Sequence, residues 1–225
     1  MTQPPLVLDI DGTLTTETEA VDPRVFDVLP AWDAPVVLAT GKAFPYPAAL
    51  AHFVGIPQVV IAENGGVVCT AEEVTYAGDP ERAQAVVELF EERGGDLGWG
   101  PVDLTNYWRE TEVAVNIDAD EDLLREVAAE FDMEVVDTGF AYHVKAPGVA
   151  KGVGLEAVAE SLGRDPGEFV AVGDSENDAS TFAVAGRSFA VANADRVARE
   201  AADVVTDAPY MDGALEALDT VADGF

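Results

Sequence analysis

The chain has 225 residues, 48% of them apolar and 8% aromatic, and 43 acidic against 12 basic residues leave a net charge of −31. Such a length and apolar content fit one large or two small folded domains and exclude a disordered chain, while the charge excludes nucleic acid and anionic membrane surfaces as partners. The single cysteine, Cys69, excludes an intramolecular disulfide framework, and MTQPPLVLDID at the start lacks the features of a leader. With no run near the roughly 18–20 apolar residues of a membrane span, a cytoplasmic location is expected.

The elements alternate along the chain. A short apolar run predicts a buried strand over 6–9, and Asp22 followed by Pro23 predicts the start of a helix over 22–30. PVVLAT predicts a second buried strand over 35–40, a helix follows over 45–54, and QVVIAENG predicts a third strand over 58–65 ending in a polar turn. Near-continuous apolar strands alternating with helices are the pattern of a parallel sheet.

The middle of the chain differs. Ala83, Val86, Val87 and Phe90 have helical spacing in a segment over 80–93, a loop follows over 94–101, and ETEVAVNI over 110–117 alternates like a half-buried antiparallel strand. A helix over 120–131 and a hairpin over 133–147, turning at Thr138-Gly139, complete an α/β unit with an open antiparallel sheet, placed at 79–148. The parallel pattern then resumes, with helices over 150–162 (Gly163 at its end), 176–185, 194–201 and 211–221. Strands are expected at EFVAVGD over 168–174, at SFAVAN and at DVVT over 203–206. The expected fold class is thus α/β, a Rossmann-like parallel-sheet core over 1–78 and 149–225 with a smaller α/β domain inserted over 79–148.

Four strand ends carry polar groups: Asp9 and Asp11; Thr40, Gly41 and Lys42; Glu63 and Asn64; Asp174 and Asp178. In a parallel sheet these ends converge on one edge, where open α/β sheets place their sites. Each motif also has an ordinary explanation: Asp11-Gly12 and Asn64-Gly65 are turn signals, and Asp174 or Ser175 can cap a helix. The convergence argues for chemistry. Carboxylates this close repel, so a cation is expected, and an oxygen-only donor set suits Mg²⁺ rather than zinc. Only three lysines occur, Lys42, Lys145 and Lys151, and Lys151 opens a helix, where its charge opposes the dipole.

DIDGT, a strand ending ATGK, Lys151 and GDSEND come in the order found in the haloacid-dehalogenase-like (HAD) phosphatases, which the chain resembles over its whole core. The inserted segment is similar to that family's α/β cap, and among capped members the likeness is to the archaeal phosphoglycolate phosphatases and to a sugar-phosphatase branch. The resemblance implies that Asp9 attacks phosphorus, forming an aspartyl-phosphate, and that Asp11 is the acid and then the base. It implies a Mg²⁺ ion held by Asp9, the Asp11 carbonyl and Asp174, with Asp178 direct or through water. Thr40 and Lys151 are expected on the phosphoryl group, and Gly41, Lys42 and Asn64 beside the substrate. From the residues alone, His143, Lys145 and Arg109 are candidates for a second anionic group of the substrate, His143 being more simply a cross-strand residue. Trp99, Tyr107 and Trp108 are expected in the cap core.

The implied substrate is a small phosphorylated organic acid, 2-phosphoglycolate first, with a sugar-phosphate phosphatase, a phosphomutase or a silent binding module as alternatives. Completeness of the motifs argues against the silent module. A monomer or homodimer is expected, with no nucleic-acid or membrane partner. Acid spread along the whole chain fits a surface suited to a salt-saturated cytoplasm, so structure is expected to weaken at low ionic strength.

Overall fold

A computed structural model describes residues 3–224; residues 1, 2 and 225, at the ends of the expected core segments, lie outside the described residues. Strand β1, Leu6–Asp9, is buried throughout and sits in the middle of the larger sheet. It is followed by α1 (Val25–Val28), β2 (Val36–Ala39), α2 (Pro45–Val54), β3 (Val60–Ala62), β4 (Val67–Cys69) and β5 (Val74–Tyr76). Then come α3 (Pro80–Glu92), β6 (Val113–Asn116), α4 (Glu121–Glu130), β7 (Glu134–Asp137) and β8 (Ala141–Lys145). The chain closes with α5 (Lys151–Ser161), β9 (Val170–Gly173), α6 (Ala179–Val184), β10 (Arg187–Ala190), α7 (Arg196–Ala201), β11 (Val204–Val205) and α8 (Tyr210–Gly224).

The larger sheet runs β11-β10-β9-β1-β2-β3-β4-β5. Its first six members pair in parallel, as the apolar strands predict. Successive side chains of a strand point to opposite faces, and each face has its own core. Leu6 and Leu8 pack with Leu38, Val60 and Val172 beneath Val25, Ala51 and Met211. Val7, Val37 and Ala171 pack on the other face against Leu155, Val158 and Phe182. The register sets Asp9 opposite Ala39 and Leu8 opposite Val172, so β1, β2 and β9 end together. The chain leaves β1 toward β2 on one side and returns to β9 on the other, which opens a crevice at those ends.

Sequence expectations fail in three places here. The helix over 22–30 shrinks to α1, because the N–H groups of Val25, Phe26 and Asp27 donate to carbonyls three residues back, which closes turns around a single helical turn. The third strand ends at Ala62 in the expected polar turn, Glu63–Gly65, with Asn64 at φ 55; the miss lies beyond it. After it β4 and β5 extend the sheet antiparallel, a hairpin that the parallel pattern did not anticipate. The helix over 176–185 also divides, into a turn at Glu176–Asp178 and α6.

Helices α3 and α4 cover a second sheet of order β6-β8-β7, antiparallel throughout. Asp79 and Asp120 cap the two helices by accepting from the N–H groups of Arg82 and Leu123. The apolar stripe of α3, from Ala83 to Phe90, meets Val113, Val115, Leu124, Val127 and Val144 in a third core. Tyr107 and Trp108 do not join it: they are 74% and 41% exposed, because the segment carrying them lies outside both elements. Trp99 is half-buried, its indole N–H donating to the Ala114 carbonyl. No described helix is long and apolar enough to cross a membrane.

Candidate active site

Lys151, the first residue of α5, is fully buried. Its Nζ donates to Asp9 Oδ1 at 2.7 Å, Asp178 Oδ1 at 2.7 Å and Asn177 Oδ1 at 2.9 Å. Burial opposes its charge, but the two carboxylates outweigh burial and raise its pKa above the ordinary lysine value. Asp9 is therefore held by one oxygen only. Its Oδ2 is buried with no hydrogen-bond partner among the described residues.

Asp174 and Asp178 follow β9. Asp178 is saturated: Oδ1 accepts from Lys151, and Oδ2 accepts from the backbone N–H groups of Asp174 and Ser175. Burial pushes the Asp174 carboxyl up to about 8, with Asp178 adding to the effect. Asp9 rises well above the ordinary carboxylate range, first by burial and then, against the pull of Lys151, by Asp178, Asp174 and Asp11. The loop after β1 must come close for this to happen. A Cβ at Gly12, where φ is +76, would stand 2.1 Å from Asp174 Oδ2, so glycine alone fits.

Ligand oxygens of Asp9, Asp174 and Asp178 lie within 4.8 Å of one another. The wider group counts four carboxylates, with Asp11, against the ammonium groups of Lys151 and Lys42. With all four ionised, two negative charges are left over. An orphaned buried oxygen, carboxyls raised by burial and then by one another, and an all-oxygen donor set fit a hard divalent cation.

The remaining expected residues scatter around this group. Asp11 is partly exposed; Lys42 Nζ is 3.1 Å from its Oδ1 and Thr40 Oγ1 donates to its Oδ2 at 3.4 Å. Thr40 also accepts from the Lys42 N–H, which sets the turn after β2. A cleft of about 550 Å³ is lined by Asp9, Asp11, Gly41, Lys42 and Asp174 from the larger sheet. Arg109, Phe140 and His143 line it from the smaller unit. Neither Asn64 nor Lys145 lines this cleft. Asn64 is buried between Glu112 and Asn177. Lys145 is paired with Glu134 and donates to the Val149 carbonyl.

A second buried charge cluster joins the two sheets: sequence reasoning places Glu63 among the strand-end polar groups but misses Glu112. Glu112 pairs with Arg109 and His143, and accepts from Asn64. Burial raises its pKa, but His143 and Arg109 outweigh burial and hold it below the ordinary value. Burial lowers that of His143 against the pull of Glu112. Arg109 Nη1 also donates to the Gly41 carbonyl, across to the turn after β2. Glu63, fully buried, accepts from the N–H groups of Glu110 and Thr111 and from the Thr111 hydroxyl. A signal existed, an acid beside the Asn64-Gly65 turn and another at the edge of a strand, but it is faint among 43 acidic residues.

A parallel sheet ending in clustered aspartates around a buried lysine, overhung by a small α/β unit, defines a HAD-like hydrolase. The sequence profile described as haloacid dehalogenase-like hydrolase matches residues 6–105 and 101–218, and the chain belongs to that family. It is 67% identical to a phosphoglycolate phosphatase of Halorubrum lacusprofundi, with 96% of each chain covered. It is 39% identical to one of Archaeoglobus fulgidus, over 95% of this chain and 94% of the relative. Among solved structures, Thermoplasma acidophilum protein 0175 superposes with a TM-score of 0.86 at 23% identity, covering 99% of both chains. A sugar phosphatase of HAD subclass IIB gives 0.79 at 21%, covering 97% of this chain and 99% of that one, a likeness of fold. The chain is an enzyme of the phosphoric monoester hydrolase class.

Proposed function

We propose that this enzyme hydrolyses 2-phosphoglycolate to glycolate and phosphate, in the cytoplasm, through an aspartyl-phosphate on Asp9. The observation that carries the chemistry is the divided carboxylate of Asp9. Lys151 takes Oδ1, leaving Oδ2 buried and unpartnered at the floor of the cleft. A buried carboxylate anchored through one oxygen, with the other free of protein partners, is placed to attack an electrophile in the cleft. The substrate rests on the relatives named phosphoglycolate phosphatase, at identities up to 67% along nearly the whole chain.

In this reading Asp9 attacks phosphorus while Lys151 holds it in place and neutralises charge on the transferring group. Asp11, exposed enough to reach solvent, gives a proton to the departing glycolate oxygen and later takes one from water. Lys42 and Thr40 keep that side chain turned toward the cleft. Asp9, Asp174 and the Asp11 carbonyl would hold Mg²⁺, with Asp178 behind them. Bound there, the ion offsets the repulsion between an anionic nucleophile and an anionic phosphate. His143 and Arg109 face the same cleft from above and are the cap groups nearest in kind to a carboxylate partner.

A panel of phosphomonoesters, assayed with Mg²⁺ in concentrated KCl, tests this. The highest kcat/KM is expected for 2-phosphoglycolate. A higher value for a hexose phosphate, for which a cleft of about 550 Å³ leaves room, overturns the substrate. Hydrolysis of none would overturn the phosphatase reading itself.

A further inference from the structure

Lys151 is linked to Glu112 through two asparagine side chains. Glu112 accepts from Asn64 Nδ2 at 3.0 Å, Asn64 Oδ1 accepts from Asn177 Nδ2 at 3.0 Å, and Asn177 Oδ1 accepts from Lys151 Nζ at 2.9 Å. Both ends of this chain dictate its direction. A carboxylate only accepts and an ammonium only donates, so each amide between them has a single orientation that satisfies both neighbours. Glu112 and Asn64 are 3% and 2% exposed, so water does not substitute for either partner. Asn64 holds a left-handed backbone at φ 55, and a Cβ on Gly41 would stand 3.0 Å from its Oδ1, so its position is tightly set.

We propose that Glu112 is a positioning residue for Lys151: its carboxylate orients Asn64, Asn64 orients Asn177, and Asn177 aims the lysine at Asp9. A neutral amide at position 112 offers one oxygen where Arg109, His143 and Asn64 all donate. Asn64 is then free to turn over, Asn177 follows, and an NH₂ group faces the ammonium of Lys151. Glu63 serves the same end from behind, since its grip on the N–H groups of Glu110 and Thr111 fixes the segment that carries Glu112.

The kinetic part of the test rests on the phosphatase reading; the spectral part does not. Glu112→Gln, Asn64→Gly (which keeps the backbone free at positive φ) and the double variant are compared on a phosphomonoester the unaltered enzyme hydrolyses. Each single change is expected to lower kcat about ten- to a hundredfold, and Asn64→Gly, which leaves Arg109 and His143 paired with Glu112, to keep KM within about threefold. The double variant is expected to lose no more than about twofold beyond the worse single, since both cut one chain. The side-chain amide signals of Asn177 should shift in both single variants in ¹⁵N–¹H spectra of the full-length protein. Multiplicative losses, a raised KM with unchanged kcat in Asn64→Gly, or an unmoved Asn177 signal would each overturn the proposal. Should Glu112→Gln fail to fold, Asn64→Gly carries both readouts, because it leaves Glu112 paired with Arg109 and His143.

Discussion

Two buried charge clusters lie close together in this molecule, and they are built on opposite principles. Around Asp9 there are four carboxylates for two lysines, one carboxylate oxygen has no partner, and Asp174 is pushed up to about 8. Around Glu112 one carboxylate is met by a guanidinium, an imidazole and an amide, and its pKa is held down. The first cluster is incomplete until something cationic or electrophilic arrives; the second is complete as folded. Unsatisfied groups are retained where chemistry uses them, and satisfied ones where position is needed.

The largest expected difference is kinetic. Asp9→Asn keeps the shape and the Lys151 contact but removes the nucleophile, so kcat should fall by at least about 10³-fold. A loss of only a few-fold would break the contrast, leaving Asp9 as part of a structural cluster. Next is the stability of the second cluster. Glu112→Ala leaves Arg109 buried without its counter-charge and His143 without its hydrogen-bond partner, and should cost about 3–5 kcal/mol in denaturant unfolding.

Smaller, and opposite in sign, is the effect of trimming the first cluster without a cation. Asp174→Asn removes a repelling charge, so the metal-free variant should be at least as stable as the unaltered protein. It should then lose most of the roughly 2.7 kcal/mol that Mg²⁺ at about a hundred times its Kd gives the unaltered protein. pH sharpens the same point. The folded-state pKa of Asp174, about 8, lies above its ordinary 3.8, so folding favours the protonated form. The stability it contributes is full below pH 4 and is lost as pH rises through 8. Thermal unfolding of the metal-free protein should therefore show a decline across that window, and saturating Mg²⁺ should flatten it.

The two clusters also differed in how far the sequence disclosed them. Asp9, Asp11, Thr40, Lys42, Asp174 and Asp178 follow short apolar runs, and a parallel sheet brings the ends of such runs to one edge whatever their separation in the chain. Lys151 stood out because lysine is rare here. Glu112 had no such marker, since it only precedes a strand in a chain where most acids face solvent; Glu63 does end an apolar run, but nothing in the sequence points to its partners Glu110 and Thr111. Only the folded backbone shows that both are buried. The same limit explains the fold. Strands buried on both faces were legible as apolar runs, whereas β5 has all three residues exposed and carries no burial pattern to read. Tyr107 and Trp108 were read as core from residue type alone, and side-chain size does not say which way a loop residue turns.

The most direct test is to catch the enzyme with its phosphoryl group attached. Full-length protein turning over 2-phosphoglycolate with Mg²⁺ is quenched in acid, reduced with borohydride and digested. The account predicts that Asp9 is recovered as homoserine, and that this conversion disappears when substrate is omitted. Rapid turnover with Asp9 recovered unchanged would contradict it.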